Sequence, residues 1–430
     1  MKYVTADEAV KLVRSGDTIC CQGGASVPVL LQEALARRHA ELRDVTITSG
    51  FNVHKDPAPF CKPEYKDSFL VNSIFLSADQ RAHVAAGYGS MTPAFLGEVP
   101  GMFRRGEFPV DVAFITCSMP DENGYCSFGI SADIAVAAAE VARVVIAEVS
   151  PNIPYLYGDC MIHESKISAA VLCDVAPFAM TFGEPTPIEA AIGANVASEI
   201  PDGACLQIGV GGIPNAVLNG IKNHKHLGLH TEAMTDGVIR LMKEGVIDNS
   251  LKKVKPGISV AALAIGSKEM YEYIDHNHSM EFFDVAYTNN PFLIARNPKA
   301  CAINSAIEID LTGQICADSI GTTIFSSVGG QHDFMYGCSL SEGGRTFIAM
   351  PSRTAKGKAK IVPTLTPGAG VVTTRFQTQY VATEHGIVYL RGKSLAERAR
   401  LLISIAHPDD REALERAAFE RFGYSFQRLG

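Results

Sequence analysis

Short, nearly continuous apolar runs alternate along this chain with segments whose apolar positions recur every three or four residues. The first pattern is that of buried strands and the second that of helices with one covered face. "TICC" from Thr18, "DVTITSG" at 44–50, "DVAFITCS" from Asp111 and "RVVIAEVS" at 143–150 read as strands. Strands apolar on both faces belong to parallel sheets covered by helices. The N-terminal "MKYVTADEAVKLVRSGD" reads as an amphipathic helix, and "SLAERARLLISIAHPDDREALERAAFERFG" as a helical tail.

The pattern also repeats. "TICCQGGASVPVLLQEAL" from Thr18 and "ACLQIGVGGIPNAVLNGI" from Ala204 are each a short strand, a glycine turn, a proline where a helix starts, and an apolar-periodic helix. Matching Gly23 to Gly209, 186 residues apart, also matches Val27 to Ile213, Pro28 to Pro214 and Leu31 to Val217. A further short strand follows each copy, at 44–50 and at 227–232, and "DVAFITCS" from Asp111 echoes "DVAYTNNP" from Asp284. A chain of 430 residues exceeds one ordinary core. The expected fold is therefore α/β, with two tandem, similar domains built on mostly parallel sheets. The join falls in the proline-bearing "FGEPTPIEA" at 182–190, giving domains 1–187 and 188–430.

Composition narrows the setting. The hydrophobic fraction of 47% and charged fraction of 20% are those of a soluble globular chain. A net charge of −8 offers no attraction to nucleic acid or an anionic membrane. No apolar run reaches membrane-spanning length, and the N-terminus lacks the features of a secretion signal. Eleven scattered cysteines with no C-x-x-C read as reduced thiols, so the expected location is the cytoplasm.

The chemistry concentrates around "QIGVGGIPNAV" and "GLHTEAMTDG". Gly209, Gly211 and Gly212 let backbone N–H groups approach a ligand, and the helix that follows favours negative charge there. Twenty-three residues after Gly209 the next strand ends on Glu232, with Asp236 and Gly237 closing the turn. A dinucleotide site wants an acid about there, but it also wants glycine or alanine where Pro214 stands. The earlier turn, "QGGASVP", is a poor ligand cradle and reads as a tight turn.

Other polar groups carry less. His224, His226 and His230 have no metal-ligand spacing and read as solvated loop histidines, as does "DHNHS" at 275–279. No G-x-S-x-G occurs, and neither cysteine of "CSMPDENGYCSFG" has a marked partner. "SSVGGQHDFMYG", with Gly329 and Gly330, reads as a turn able to present N–H groups to an oxyanion. "EHG" at 384–386 reads as a turn, Glu308 as the polar face of a strand, and Lys356 as a phosphate contact or an exposed loop charge.

Taken together, "QIGVGGIPNAV", "GLHTEAMTDG", "AYTNNP", "INSAIEIDLTGQ", "SVGGQHDF" and "TEHGIVYLRGKSLAERARLLISIAHPDDREAL" resemble the acetyl-CoA hydrolase/transferase family of class I CoA-transferases. The likeness is greatest to its 4-hydroxybutyrate and butyryl-CoA:acetate CoA-transferases and runs almost end to end. It implies that Glu232 forms a covalent glutamyl-CoA thioester. Coenzyme A is then a substrate and transient adduct, short-chain carboxylates are the partners, and no tightly bound cofactor or metal is needed. It assigns the oxyanion site to Asn289, or Asn290 if the register shifts by one, and to the Gly330 backbone. It assigns coenzyme A binding to Gly209, Val210, Gly211, Gly212 and Ile213, with Ile307, Gly330 and Lys356. Relatives imply a homo-oligomer. Two other readings stand beside it: an acyl-CoA hydrolase, and a nucleotide-binding regulatory module without covalent chemistry.

Overall fold

The computed structural model describes residues 1–53 and 56–428. Seven strands form the first sheet: Thr18–Cys21 (β1), Val45–Ser49 (β2), Phe69–Ser73 (β3), Gly89–Met91 (β4), Val112–Cys117 (β5), Val144–Val149 (β6) and Ala169–Leu172 (β7). Their order is β4-β3-β2-β1-β5-β6-β7, and every pairing is parallel. The second sheet contains Cys205–Ile208 (β8), Gly228–Leu229 (β9), Ala300–Asn304 (β10), Arg345–Ala349 (β11), Tyr380–Thr383 (β12) and Gly386–Tyr389 (β13). Its order is β9-β8-β10-β11-β12-β13, parallel except for the final hairpin. The fold is thus α/β with mostly parallel sheets, and "EHG" is the turn of that hairpin.

Alternation along the strands distributes the core. Ile19, Cys21, Val112 and Phe114 face one apolar cluster, whereas Cys20, Ala113, Ile115 and Cys117 face another. That second cluster also receives Leu206, Ile208, Cys301, Ile303, Phe347 and Ala349 from the other sheet. Ala300, Ala302 and Ile348 point away into a third cluster under the C-terminal helices. Side chains of both sheets therefore bury against each other in one continuous core, the dominant favourable term in such packing.

The repeat is visible as β1, helix Val29–Arg37 (α1) and β2 against β8, helix Gly212–Gly220 (α3) and β9, with helix Pro187–Ala197 (α2) leading into the second copy. Thr186 caps α2 through a capping box with Glu189. The echo between Asp111 and Asp284 does not hold. Asp111 precedes strand β5, whereas Asp284 accepts from Tyr287 N and starts a short helix, Val285–Thr288. The structural counterpart of β5 is β10: Ile19 lies beside Val112 as Cys205 lies beside Ala300. An N-capping aspartate reads the same as a strand-leading one in sequence.

Two terminal expectations change in detail. The N-terminal helix is only Ala6–Ala9 with a 3₁₀ turn at Val10–Leu12, because residues 2–4 bond to Ala170 at the edge of the first sheet. The C-terminal tail is broken at Pro408 into Leu395–Ser404 and Pro408–Phe422. No helix among the described residues is long and apolar enough to cross a membrane.

Candidate active site

The two copies of the glycine turn end differently. At the start of α1 the buried Glu148 of β6 reaches in, and Leu31 N donates to its Oε1 at 2.9 Å. Burial pushes that carboxyl up to about 7. The protein itself thus fills the first helix start. At α3 no side chain caps the helix. Gly211 there has φ of 130°, a conformation that side chains disfavour, and Gly212 lies so close to Glu189 that any side chain would collide with it.

Glu232 sits where the chain changes sheets. After β9, His230 bridges Val260, and beyond Glu232 the pair Ala233–Met234 joins Leu263–Ala264. The strand expected to run through to Glu232 is shorter: β9 closes at Leu229, and Glu232 is a bend. Its carbonyl accepts from Ala262 N at 3.0 Å and Leu263 N at 2.9 Å. The hydroxyl of Thr231 donates to Ile208 O and accepts from Ile208 N. Backbone on both sides of the side chain is therefore pinned.

The Glu232 carboxylate lines a cleft of about 360 Å³ between the two sheets. Gly209, Val210, Ile307 and Gly330 line the same cleft, with Phe51 and Phe75 contributed by the first sheet's loops. Asn289 is fully buried behind Glu232 and donates from Nδ2 to its Oε2 at 2.9 Å. The Gly330 backbone packs directly against the same carboxylate oxygen. Asn290 plays a different part, capping helix Pro291–Arg296 by accepting from Phe292 N and Leu293 N. Of the two asparagines, Asn289 is the one that reaches Glu232.

Asp333 completes the cluster. It lies in the first turn of helix Gln331–Leu340, whose N-cap is Gly330. Its Oδ2 accepts from Gly97 N at 2.9 Å and from Asn289 Nδ2 at 3.3 Å. Burial pushes Asp333 up to about 6. Glu232 is pushed up to about 7, chiefly by burial, against its bond from Asn289 and with further repulsion from Asp333 and Asp133. A carboxylate partly withdrawn from water at the wall of a cleft, with a donor at one oxygen, suits nucleophilic attack on a neighbouring carbonyl.

The remaining expected ligand contacts divide. Gly211 lines a second groove of about 350 Å³, beside Asp236 and Gly237, which meets the first cleft at Gly209. Ile213 is half-buried against the shared core. Lys356 lies in an exposed turn closed by Thr354 N to Lys358 O, and lines neither space. Glu308 is structural: it accepts from Thr366 N at 2.6 Å and from the Thr366 hydroxyl at 2.9 Å. The dinucleotide reading loses its acid, since Glu232 stands beyond the strand end and is bound by Asn289 inside the cleft.

His230 departs from the expected solvated loop: it is buried and bonds through Nε2 to Thr288 O at 2.8 Å. Asp333 and Gly97 also belong to the site, although no sequence motif singles them out. Asp333 carries one signal, an acid three residues after a glycine pair at a helix start; Gly97 carries none.

Comparison with known proteins agrees with the fold. Residues 1–180 match the acetyl-CoA hydrolase/transferase N-terminal domain, and residues 266–418 match the C-terminal domain of the same name. The chain is 42% identical over 422 residues to the 4-hydroxybutyrate coenzyme A transferase of Clostridium kluyveri, covering 98% of each. It is also 42% identical over 421 residues to the succinyl-CoA:acetate/propanoyl-CoA:succinate CoA transferase of Fasciola hepatica, covering 96% of this chain and 87% of that one. The crystal structure of RipA from Yersinia pestis superposes with a TM-score of 0.92 at 33% identity, over 98% of both chains. This chain belongs to the acetyl-CoA hydrolase/transferase family.

Proposed function

We propose that this protein is a CoA-transferase that moves coenzyme A between a short-chain acyl-CoA and a free carboxylate, with Glu232 as the nucleophile. The observation that carries the reading is Asn289 Nδ2 donating to the Glu232 carboxylate, with the Gly330 backbone packed against the same oxygen, in an otherwise largely apolar cleft. A Glu232 oxygen attacks the acyl carbonyl, the tetrahedral oxyanion collapses, and the C–S bond breaks. The products are an acyl–glutamyl anhydride and CoA thiolate. The thiolate attacks the Glu232 Cδ carbonyl, and the first acid leaves as a carboxylate, giving glutamyl-CoA. An incoming carboxylate reverses the two steps and departs as the new acyl-CoA. One thioester is exchanged for another, so the exchange needs no external energy source. Each tetrahedral oxyanion needs preorganised donors, and removing one such donor typically costs a factor of about 10²–10³.

Two relatives of equal identity carry different acid pairs in their names, 4-hydroxybutyrate in one and succinate, acetate and propanoyl-CoA in the other. We take acetyl-CoA with 4-hydroxybutyrate or butyrate as the pair to test first. The wider reading includes a homo-oligomer, and a cytoplasmic location that eleven free cysteines, nine of them buried, support. It also divides the chain into domains at 1–187 and 188–430, supported by the capped start of α2 at Thr186.

Incubation with acetyl-CoA, borohydride reduction and peptide mapping test the mechanism. A borohydride-sensitive adduct on the peptide containing Glu232 is the expected result. Turnover of acetyl-CoA without an acceptor acid and without an adduct would replace the transferase by a hydrolase.

A further inference from the structure

His230 and Glu232 stand two residues apart on one segment; Thr288 and Asn289 are neighbours on another. Two hydrogen bonds join the segments: His230 Nε2 to Thr288 O at 2.8 Å and Asn289 Nδ2 to Glu232 Oε2 at 2.9 Å. Between them, the Thr288 hydroxyl stands 3.1 Å from Asn289 Oδ1 and 3.3 Å from Asp284 O, and donates to the nearer. That bond orients the amide, because an oxygen held by a donor leaves the nitrogen to face Glu232. His230, Thr288 and Asn289 are all buried.

Since Thr288 contributes a carbonyl, His230 must carry its proton on Nε2. Its Nδ1 is buried and finds no hydrogen-bond partner among the described residues. An unpaired buried polar atom typically costs about 1–3 kcal/mol, and an aliphatic side chain there would avoid it. The imidazole therefore gives the fold little that packing alone would not. What it uniquely gives is one donor on the carbonyl immediately before Asn289.

We infer that His230 is a positioning residue: by holding the Thr288 carbonyl it sets the Asn289 amide against Glu232, and so aligns the oxyanion donor with the nucleophile. The inference rests on Glu232 being the nucleophile. Burial favours the neutral ring throughout the working range, and Lys252, whose ammonium bonds Leu229 O and Ile258 O, acts in the same direction. His230 thus exchanges no proton with substrate; it works as a fixed donor.

The test compares His230→Leu with His230→Gln, whose amide nitrogen reaches where Nε2 stands. The expected result is a fall in kcat of roughly 10–100-fold for the leucine variant, with KM for acyl-CoA within about 2-fold. Formation of the borohydride-trapped adduct should slow by the same factor, and the glutamine variant should recover most of the rate. Equal kcat in wild type and leucine variant, equal impairment of both variants, or a change confined to KM overturns the inference. If the leucine variant does not fold, ¹⁵N shifts of His230 in the wild type decide: an Nε2–H ring with bare Nδ1, unchanged from pH 6 to 9, is required, and the other tautomer or a titrating ring overturns it. Failure of the wild type to form any adduct is a different outcome, which removes the Glu232 reading itself.

Discussion

Asn289 Nδ2 is shared between two carboxylates, lying 2.9 Å from Glu232 Oε2 and 3.3 Å from Asp333 Oδ2. One amide group thus bridges two acids that would otherwise repel each other in a confined space. Both acids sit above the ordinary carboxylate range, at about 7 and about 6. On the proposed mechanism, converting the Glu232 carboxylate to a neutral thioester relieves that repulsion.

Replacing Glu232 by Gln should reduce transfer by on the order of 10³-fold or more and abolish the trapped adduct. The same variant should be more stable than wild type at pH 8. Glu232 is raised in the folded state, so the fold holds its proton more tightly than the unfolded chain does. Wild-type stability therefore falls as pH rises from about 4.5, the unfolded value, to about 7. The glutamine variant lacks that loss, and its advantage should reach about 1–3 kcal/mol above pH 7 and vanish below pH 4.5. Denaturant melts at both ends of the range measure it.

As the proposed nucleophile, Glu232 must be ionised to attack, so kcat/KM should climb with pH through an acid limb near its raised value of about 7. Asp333→Asn keeps an oxygen to accept from Gly97 N but removes a charge. It should move that limb lower by about half a unit to one unit. A limb that stays in place would show that Asp333 does not act electrostatically on Glu232.

Asn289→Ala removes the proposed oxyanion donor and should cost roughly 10²–10³ in kcat, with a much smaller change in KM. Asn290→Ala removes a helix cap instead. Its expected effect is about 1 kcal/mol of stability, with activity nearly intact. Kinetics and thermal melts on the pair separate the two roles.

At Gly330 the backbone has φ −89° and ψ 3°, open to any residue, so alanine there brings no backbone strain. Its methyl group would instead collide with Glu232 and the Asn289 amide. Gly330→Ala should lower kcat by roughly 10²-fold through displacement of these groups. Stopped-flow formation of the trapped adduct reads the effect directly.

Sequence alone determined the alternation of strands and helices, the duplicated strand–glycine turn–helix, and the motifs that carry Glu232, Asn289 and Gly330. These are local features: strand and helix periodicity, glycine at turns and proline at helix starts are all written within a few residues of one another. Tertiary structure decided everything that depends on meetings across the chain. It alone distinguished Asn289 from Asn290, since both stand in "TNNP" and only packing turns one toward Glu232. It placed His230 in the interior and not in a surface loop, because burial of a histidine depends on which strands cover it. It joined Gly97 to Asp333 across 236 residues, a contact with no trace in local spacing. The two glycine turns look alike in the sequence, yet Glu148 accepts a backbone N–H at one helix start, whereas at the other Glu189 packs against Gly212 and no side chain among the described residues caps the helix. Local patterns set what each segment is, whereas the shared core between the two sheets sets which side chains lose water together, and that loss makes a carboxylate reactive.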